Sequence, residues 1–578
     1  MRTTSLALLL GCNANAPTDS LDTEDTSTTR PHEALCRVDV QCPGDILDEP
    51  KAPCTVALLK SDGTAMYEGS AGFERRGRSS LWYPKPQYSM ELRQYNELPV
   101  WPGAVWSYLD DGSDPGVGWK EPAFDDDAWA TGGAPLGYDV DHLITIVQPS
   151  TANGSLTTFF RTTMIVENLE RVTRARLGVI RDDGAAVYLN GTEILRDNLP
   201  VGADYATPAS SASPNAESIA WAQIDVAPGL LHAGANTLAV EVHRADTTND
   251  QIRFDLYLEA IGNNQSVNLD DMGADPDWIL NGLYVDRVLW RNRLANDLFQ
   301  SFGANERYAP ESRFCELDLN GDYQGLYTLG ERIGRDDDRI DIPATSVPGD
   351  SFIIKLDDVY GFHPNAVGLG TWQMVYPKDD DAAEAAVTEV LVNWEQAVRS
   401  ADPADPTHGI FTYLDRDSAV DFVLLQEFMK NTDAYELSVH LWRAPDSKIY
   451  FTPWDLDLSM GYPVMDCGAE GWLVRPEYIQ AMVAVPAFKE ALTARWAELR
   501  QGQLAEAAIL ARIEGYDATL QPALERNFER WPIDEITVST DDLPQWLCPV
   551  TSYEDEHARV LAFIAARLAW MDANIASY

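Results

Sequence analysis

Lysine is nearly missing from this chain. Lys51, Lys60, Lys85, Lys120, Lys355, Lys378, Lys430, Lys448 and Lys489 are all of it in 578 residues, and arginine carries most of the positive charge. Lys and Arg together number 43 against 91 Asp plus Glu, for a formal net charge of −48, and no basic cluster interrupts the acidity. A protein that neutralises a phosphate backbone needs such a cluster, so nucleic acid is excluded as a partner. Basic protein partners fit the charge, and so does simple solubility or adaptation to a saline exterior. A lysine kept in such a chain is worth watching, because its compact ammonium suits phosphate contact as a point charge.

Cysteine and long apolar runs are also scarce. No C-x-x-C pair occurs among the 7 cysteines and no His-rich helical motif accompanies them, which argues against a zinc site. No run reaches the roughly 18–20 apolar residues that span a bilayer. The apolar run Leu6-Ala7-Leu8-Leu9-Leu10 followed by Gly11-Cys12 looks like a short bacterial lipoprotein signal over 1–12, with Cys12 as the lipid-anchored terminus. The stretch 13–35 is rich in Thr, Ser, Asp, Glu and Pro and reads as a flexible tether. Setting Cys12 aside leaves Cys36, Cys42, Cys54, Cys315, Cys467 and Cys548, enough for three disulfides in an oxidising, extracytoplasmic compartment, with connectivity open.

What is present is a globular chain of several domains, 45% hydrophobic and 23% charged. Composition shifts near Tyr95 and Gly262 mark off an all-β region, 95–265. It has strands at Thr157–Val166, Ala175–Ile180, Ala185–Leu189, Thr237–His243 and Ile252–Ala260, with turns at Asp183-Gly184 and Asn190-Gly191. In Arg181–Gly191 and Asn236–His243 it resembles the galactose-binding-like β-sandwich modules of secreted bacterial proteins. That resemblance implies a possible glycan partner, with Trp106, Tyr108, Trp119, Phe124, Trp129 and Tyr138 either stacking on sugar or packing the sandwich. On either side the pattern is mixed α and β: helix Arg287–Phe302, strands Arg313–Leu319 and Tyr323–Gly330 around Asn320-Gly321, strand Ser351–Leu356, then helices Phe488–Leu499, Leu504–Ile513 and His557–Ile575.

The chemistry concentrates in Asn431–Ser438 and Pro453–Asp457. An apolar-periodic helix over Ala419–Lys430 feeds a loop that carries Asp433. Val439–Arg443 and Ile449–Thr452 flank the turn Ala444-Pro445-Asp446-Ser447 as an antiparallel hairpin. Pairing Arg443 with Ile449 sets Ser438 opposite Trp454 and gathers Asp433, Ser438, Asp455 and Asp457 at the hairpin base. Two readings stay open: a phosphoryl-transfer site, or aspartates that cap turns.

Several separated segments together resemble the spore-coat CotH-type protein kinases: Arg76-Gly77-Arg78-Ser79-Ser80, Pro84–Leu92, Trp278 with Asp286 and Arg291-Asn292, Asn320–Tyr327 with Glu331, and the two Asp segments. The resemblance implies an α+β, atypical protein-kinase-like domain in two parts, 36–94 and 266–578. The inserted all-β sandwich splits it, and its C-terminal part is helical. It further implies transfer of the γ-phosphate of ATP, with Mg2+ or Mn2+, to Ser or Thr of a protein substrate that is basic and Ser-rich. On it, Asp433 is the catalytic aspartate and Asp455 binds metal, assisted by Asp457. Lys85 approaches the phosphates beside Arg76 and Ser79, and Glu331 pairs with Lys85. Ser438 stands where the family has Asn, a weaker position in the metal shell. The alternative is a catalytically inactive kinase-like envelope protein acting in adhesion or assembly through its glycan-binding-like sandwich.

Overall fold

The computed structural model describes residues 34–578 except 139, 149–155, 214–219, 247–250, 304–306, 359–361, 365, 368–370, 379, 463–466 and 535–549. The expected signal with Cys12, nearly all of the tether, and Cys548 lie outside the described residues, as does the side chain of Ser79.

Strand Cys36–Gln41 buries Cys36, Val38 and Val40 while Arg37 and Gln41 face water, the period-two pattern of a half-buried strand. Seven strands close into a barrel, in the order Cys36–Gln41, Ala52–Leu59, Ala65–Arg76, Gln87–Arg93, Asp277–Asn281, Asp322–Glu331 and Ser312–Leu319. An odd ring cannot alternate direction throughout, and the parallel seam falls between the last strand and the first. Cys36 and Cys315 are paired in that seam and joined by a disulfide; a second disulfide joins Cys42 to Cys54. Cys467 is also disulfide-bonded. The hairpin within the barrel turns at Asn320 and Gly321, both left-handed at φ 54° and 80°, the conformation an Asn-Gly turn supplies.

Strand Gln87–Arg93 pairs directly with Asp277–Asn281, so the chain between them leaves the barrel and returns to it. It forms two facing sheets. One is ordered Thr192–Asp197, Gly184–Leu189, Gly234–His243, Thr157–Val166, Val105–Leu109 and Ala130–Gly133. The other is ordered Ala222–Val226, Arg174–Asp182, Ile252–Ile261, Leu136–Tyr138 and Thr145–Ile146, with Asn96–Val100 also paired to Ile252–Ile261. Phe160 stacks on Phe254 between the sheets with ring centres 4.3 Å apart, and Trp106 meets Phe254 edge-on at 4.9 Å. Asp183-Gly184 falls between two strands as expected, but the turn closes no hairpin. The strands on either side belong to different sheets, so it is the corner by which the chain crosses the sandwich. Trp119, Phe124, Trp129, Phe159 and Tyr188 pack on one another, and Tyr138 is exposed.

The rest is a second sheet with helices behind it. Its strands run in the order His363–Pro364, Thr371–Tyr376, Phe352–Asp358, Val439–Arg443 and Tyr450–Pro453. Helix Arg416–Met429 is apolar on nearly every side and is buried accordingly, with Phe422 stacked on Phe451 of the sheet at 4.7 Å. Asp415 caps its first turn by accepting from the Ser418 N–H, and Lys430 ends it in the left-handed conformation. Helix Tyr553–Asn574 has the length and hydropathy to cross a membrane. Here it is a core helix, with Val560, Phe563, Ile564, Leu568 and Met571 turned inward and buried Arg567 fully engaged with main-chain carbonyls and Glu427.

Candidate active site

Helix Arg416–Met429 delivers the chain to Asn431, and the segment to Ser438 is a tight loop. The N–H groups of Glu436 and Leu437 both point to the Asp433 carbonyl, at 3.4 and 3.1 Å. Tyr435, fully buried, pins the loop to the core: its hydroxyl donates to Glu427 at 3.3 Å and its carbonyl accepts from the Tyr478 hydroxyl at 2.7 Å. Glu427 also accepts from Tyr578 at 2.8 Å and from Arg567 at 3.2 Å, so this side of the loop is fastened to the last helix.

The hairpin register pairs Val439 with Pro453, His440 with Thr452 and Trp442 with Tyr450. Extended by one residue, that register sets Ser438 beside Trp454. Asp433 is half-buried, Ser438 buried, Asp455 exposed and Asp457 partly open. Burial, followed by the charges of Asp455, Asp286 and Asp433, holds the Asp457 carboxyl well above the usual range. These four carboxylates therefore feel one another, and Asp286 is a member that the sequence reading placed only among the matching residues.

Helix Arg291–Phe302 holds the Asp455 segment from the other side. The Asn292 side chain accepts the Leu456 N–H at 2.9 Å, and Arg291 Nε donates to the Ser459 carbonyl at 3.0 Å. Arg291 is itself buried between Asp286, at 2.6 Å, and Glu556. Asp286 also accepts the Val288 and Arg291 N–H groups, at 3.2 and 2.7 Å. That turn is why the helix begins at Arg291 rather than Arg287 as the apolar spacing had suggested. The signal that could have found the clamp was the Arg291-Asn292 pair itself, but its partners lie more than 160 residues away.

Non-glycine residues with positive φ crowd this region: Tyr435 at 74°, Ser438 at 56°, Asp455 at 56° and Met460 at 54°, with Leu283 at 54° and Leu289 at 69° around Asp286. Such conformations cost about 1–3 kcal/mol each and persist where surrounding structure over-determines them.

Across from the hairpin stands the barrel. Arg76 lies on the outer face of strand Ala65–Arg76, bonded to Asn281 at 3.2 Å, with its guanidinium 5.7 Å from the centre of the Trp454 ring. Gly77 follows at φ 117°, and a Cβ there would fall 1.7 Å from the Ser80 hydroxyl, so only glycine makes this turn. Ser79 opens the one-turn helix Ser79–Trp82 just beyond it. His440, buried beside Lys355, is pushed down to about 3 by burial and by that ammonium, and its ring meets Trp454 at 5.8 Å.

The expected Lys85–Glu331 pair is not made. The Lys85 ammonium is buried and donates to the Leu326 carbonyl at 2.6 Å and to Asn527 at 3.0 Å, over the Tyr327 ring. Burial holds it well below the usual lysine range. Glu331 is five residues farther along the strand from Leu326, about 17 Å at strand rise. Its carboxylate instead accepts from the Glu311 N–H at 2.8 Å and the Tyr308 hydroxyl at 3.2 Å, and burial pushes it up to about 7. Arg76, not Lys85, is the cation over the hairpin base.

Among the described residues, no three His, Cys, Asp or Glu side chains converge tightly enough to hold an ion alone. The donors present are nonetheless of the kind that hard divalent cations take. Mg2+ characteristically uses one or two carboxylates and completes its octahedron with phosphate oxygens and water. Asp455 and Asp457, two residues apart and close enough to shift one another, fit that pattern.

A model of the family described as CotH kinase protein matches residues 249–571. No curated protein matches the chain. Among solved structures, a Bacteroides uniformis β-glucuronidase is 17% identical, with 29% of this chain and 18% of that one covered and a TM-score of 0.19. A β-glucuronidase of Ruminococcus gnavus is 11% identical over 32% and 33% of the two chains at a TM-score of 0.20, and one from an uncultured Clostridium is 14% identical over the same shares at 0.20. The chain spans a third or less of those enzymes' lengths, and at these scores the likeness says nothing about its activity.

Proposed function

The chain belongs to the CotH kinase protein family, and from that membership we propose that it transfers the γ-phosphate of ATP to Ser or Thr hydroxyls of a protein substrate. The observation that carries this reading is the joint placement of Asp433 and the Asp455 segment at one hairpin base, with Arg76 facing it.

In this reading Asp433, on a loop fastened by Tyr435, orients the incoming hydroxyl and accepts its proton. Asp455 and Asp457 hold Mg2+ or Mn2+, which when bound neutralises and aligns the phosphates. Arg76 adds a fixed positive charge from the barrel side, and the phosphate role first given to Lys85 passes to it. Positioning and charge neutralisation supply most of the rate in phosphoryl transfer, and a strained, over-determined backbone is suited to that. The net negative charge favours a basic, Ser-containing substrate. The disulfides are the mark of an oxidising, extracytoplasmic compartment, so the protein meets its substrate in the envelope or outside the cell.

The second reading is an inactive kinase-like envelope protein. It draws on Ser438 standing where the family has Asn and on the lack of a three-ligand group among the described residues. Incubation with labelled ATP, Mg2+ or Mn2+ and a basic Ser-rich protein separates the two. We expect Asp433→Asn and Asp455→Asn each to cut labelling by about 100-fold or more. Labelling that is equal in wild type and both variants would leave the kinase reading without support.

A further inference from the structure

Glu427 is the last carboxylate of helix Arg416–Met429 and is almost wholly buried. An ionised carboxylate offers about four acceptor positions, and here four donors meet them. Oε1 receives the hydroxyls of Tyr435 and Tyr578, at 3.3 and 2.8 Å, while Oε2 receives the Leu473 N–H at 3.1 Å and Arg567 at 3.2 Å. The two oxygens thus serve two pieces of chain. Through Tyr435, Oε1 holds the loop that carries Asp433; Oε2 holds the segment 467–473, which lies downstream of Asp455 and Asp457.

That segment is secured by its main chain. Lys430 donates to the Gly468 and Glu470 carbonyls at 2.7 Å each, and Arg567 donates to the Ala469 and Gly471 carbonyls at 2.9 and 2.6 Å. Four successive carbonyls therefore alternate between two cations. Arg567 Nε also donates to the Glu427 carbonyl at 2.8 Å, so the same guanidinium binds both ends of the contact. Nearer Asp457 the chain is tied to the same helix end and the same loop: the Met460 N–H donates to the Met429 carbonyl at 2.6 Å and the Thr432 hydroxyl to the Leu458 carbonyl at 3.3 Å. The Asp433 loop and the chain leaving Asp457 share one support, the C-terminal end of helix Arg416–Met429.

Desolvation offsets much of the attraction within a buried ion pair, so such a network adds little net stability. It fixes geometry instead. Tyr435 is left-handed at φ 74°, a conformation that lasts only while its surroundings hold it, and its hydroxyl ends on Glu427. We infer that Glu427 is a positioning residue that sets Asp433 and the chain after Asp457 in register with each other, Oε1 acting through Tyr435 and Oε2 through Leu473 and Arg567. This rests on the phosphoryl-transfer reading above for what Asp433 and Asp457 do, and adds the buried group that places them.

Hydrogen–deuterium exchange of the whole chain reads that register without turnover. Glu427→Gln supplies one acceptor oxygen where two are used, and is expected to speed exchange about tenfold in both 431–438 and 467–473 while the rest of the chain keeps its rates. Tyr435→Phe cuts the Oε1 side alone and is expected to speed 431–438 only. Should Glu427→Gln fail to fold because Arg567 loses its counter-charge, Glu427→Asp keeps the charge, is one methylene too short to meet both pairs of donors, and is expected to give the same response in both segments. With ATP, Mg2+ and a basic Ser-rich protein, Glu427→Gln is expected to lower kcat about tenfold and raise the Mg2+ needed for half-maximal rate, whereas Tyr435→Phe lowers kcat alone. Wild-type exchange in either segment of the Glu427 variant overturns the inference. So does a uniform rise along the chain, which would make Glu427 a contact of general stability, and so does an active enzyme whose kinetic constants ignore the substitution. A wild type that transfers no phosphate defeats the kinase reading, and exchange then decides this inference by itself.

Discussion

Ser438 is the residue on which the chemistry turns. It is buried, its φ is 56°, and it immediately precedes strand Val439–Arg443, which carries His440. Serine holds this left-handed conformation at a cost, whereas asparagine occupies it more readily than most L residues because its short amide bonds locally. Ser438→Asn therefore meets no backbone obstacle, and it supplies an amide carbonyl, a longer and stronger oxygen donor than a hydroxyl. We expect the variant to tighten Mg2+ binding and raise phosphoryl transfer, about tenfold if one ligand bond is gained. Titration of activity against free Mg2+ reads this directly, and an unchanged curve would place residue 438 outside the metal shell. Lys85 gives the complementary lesson. Pro84-Lys85-Pro86 looks like a nucleotide lysine in the sequence, yet the fold turns its ammonium inward to a carbonyl and an amide. No local pattern discloses which way a side chain between two prolines will point.

At the scale of elements, the site is a loop and a turn held by two helices. Helix Arg416–Met429 fixes Asp433 in sequence, and helix Arg291–Phe302 fixes the Asp455 segment in space through Asn292 and Arg291. If Asn292 positions that segment, Asn292→Ala should raise the Mg2+·ATP needed for half-maximal rate and lower kcat, each by up to about tenfold. Asn292→Asp, which keeps an acceptor oxygen at the same reach, should recover most of the loss. A drop in melting temperature with unchanged kinetic constants would reduce Asn292 to a structural contact. The first of these helices and the hairpin were legible in the sequence, because a continuous apolar run and a four-residue turn are local signals. Five of the sandwich strands were legible for the same reason: Thr157–Val166 stands as read and the other four lengthen by one to three residues, while the edge strands such as Thr192–Asp197 and Ala222–Val226 went unread. The clamp was not, since it is made between helix and loop across 164 residues. Nor were the barrel's first three strands, where glycines at 69 and 72 blur the alternation of strand Ala65–Arg76.

At the scale of the whole molecule, one closed barrel is assembled from chain segments on both sides of a large insertion. Its seam pairs Cys36–Gln41 with Ser312–Leu319 in parallel, and no sequence pattern announces a pairing between strands so far apart. The Cys36–Cys315 disulfide lies in that seam and closes a loop of 279 residues, longer than the insertion it encloses. In the chain-entropy account a cross-link of this span restricts the unfolded chain strongly, so its loss should cost about 2–5 kcal/mol. Cys42–Cys54 closes only 12 residues and contributes less on the same account. Replacing Cys36 and Cys315 together by Ala should therefore lower the denaturation midpoint well beyond what the Cys42/Cys54 pair does, with ATP affinity falling alongside. The coupling is expected because the barrel presents Arg76 to the hairpin base, and Arg76 rides on strand Ala65–Arg76 within the ring the disulfide closes. Chemical denaturation of the two double variants, followed by calorimetry with Mg2+·ATP, measures both effects. Equal midpoints for the two pairs would mean that the seam is held by its strand pairing alone, and that the barrel reaches the site without the help of its longest cross-link.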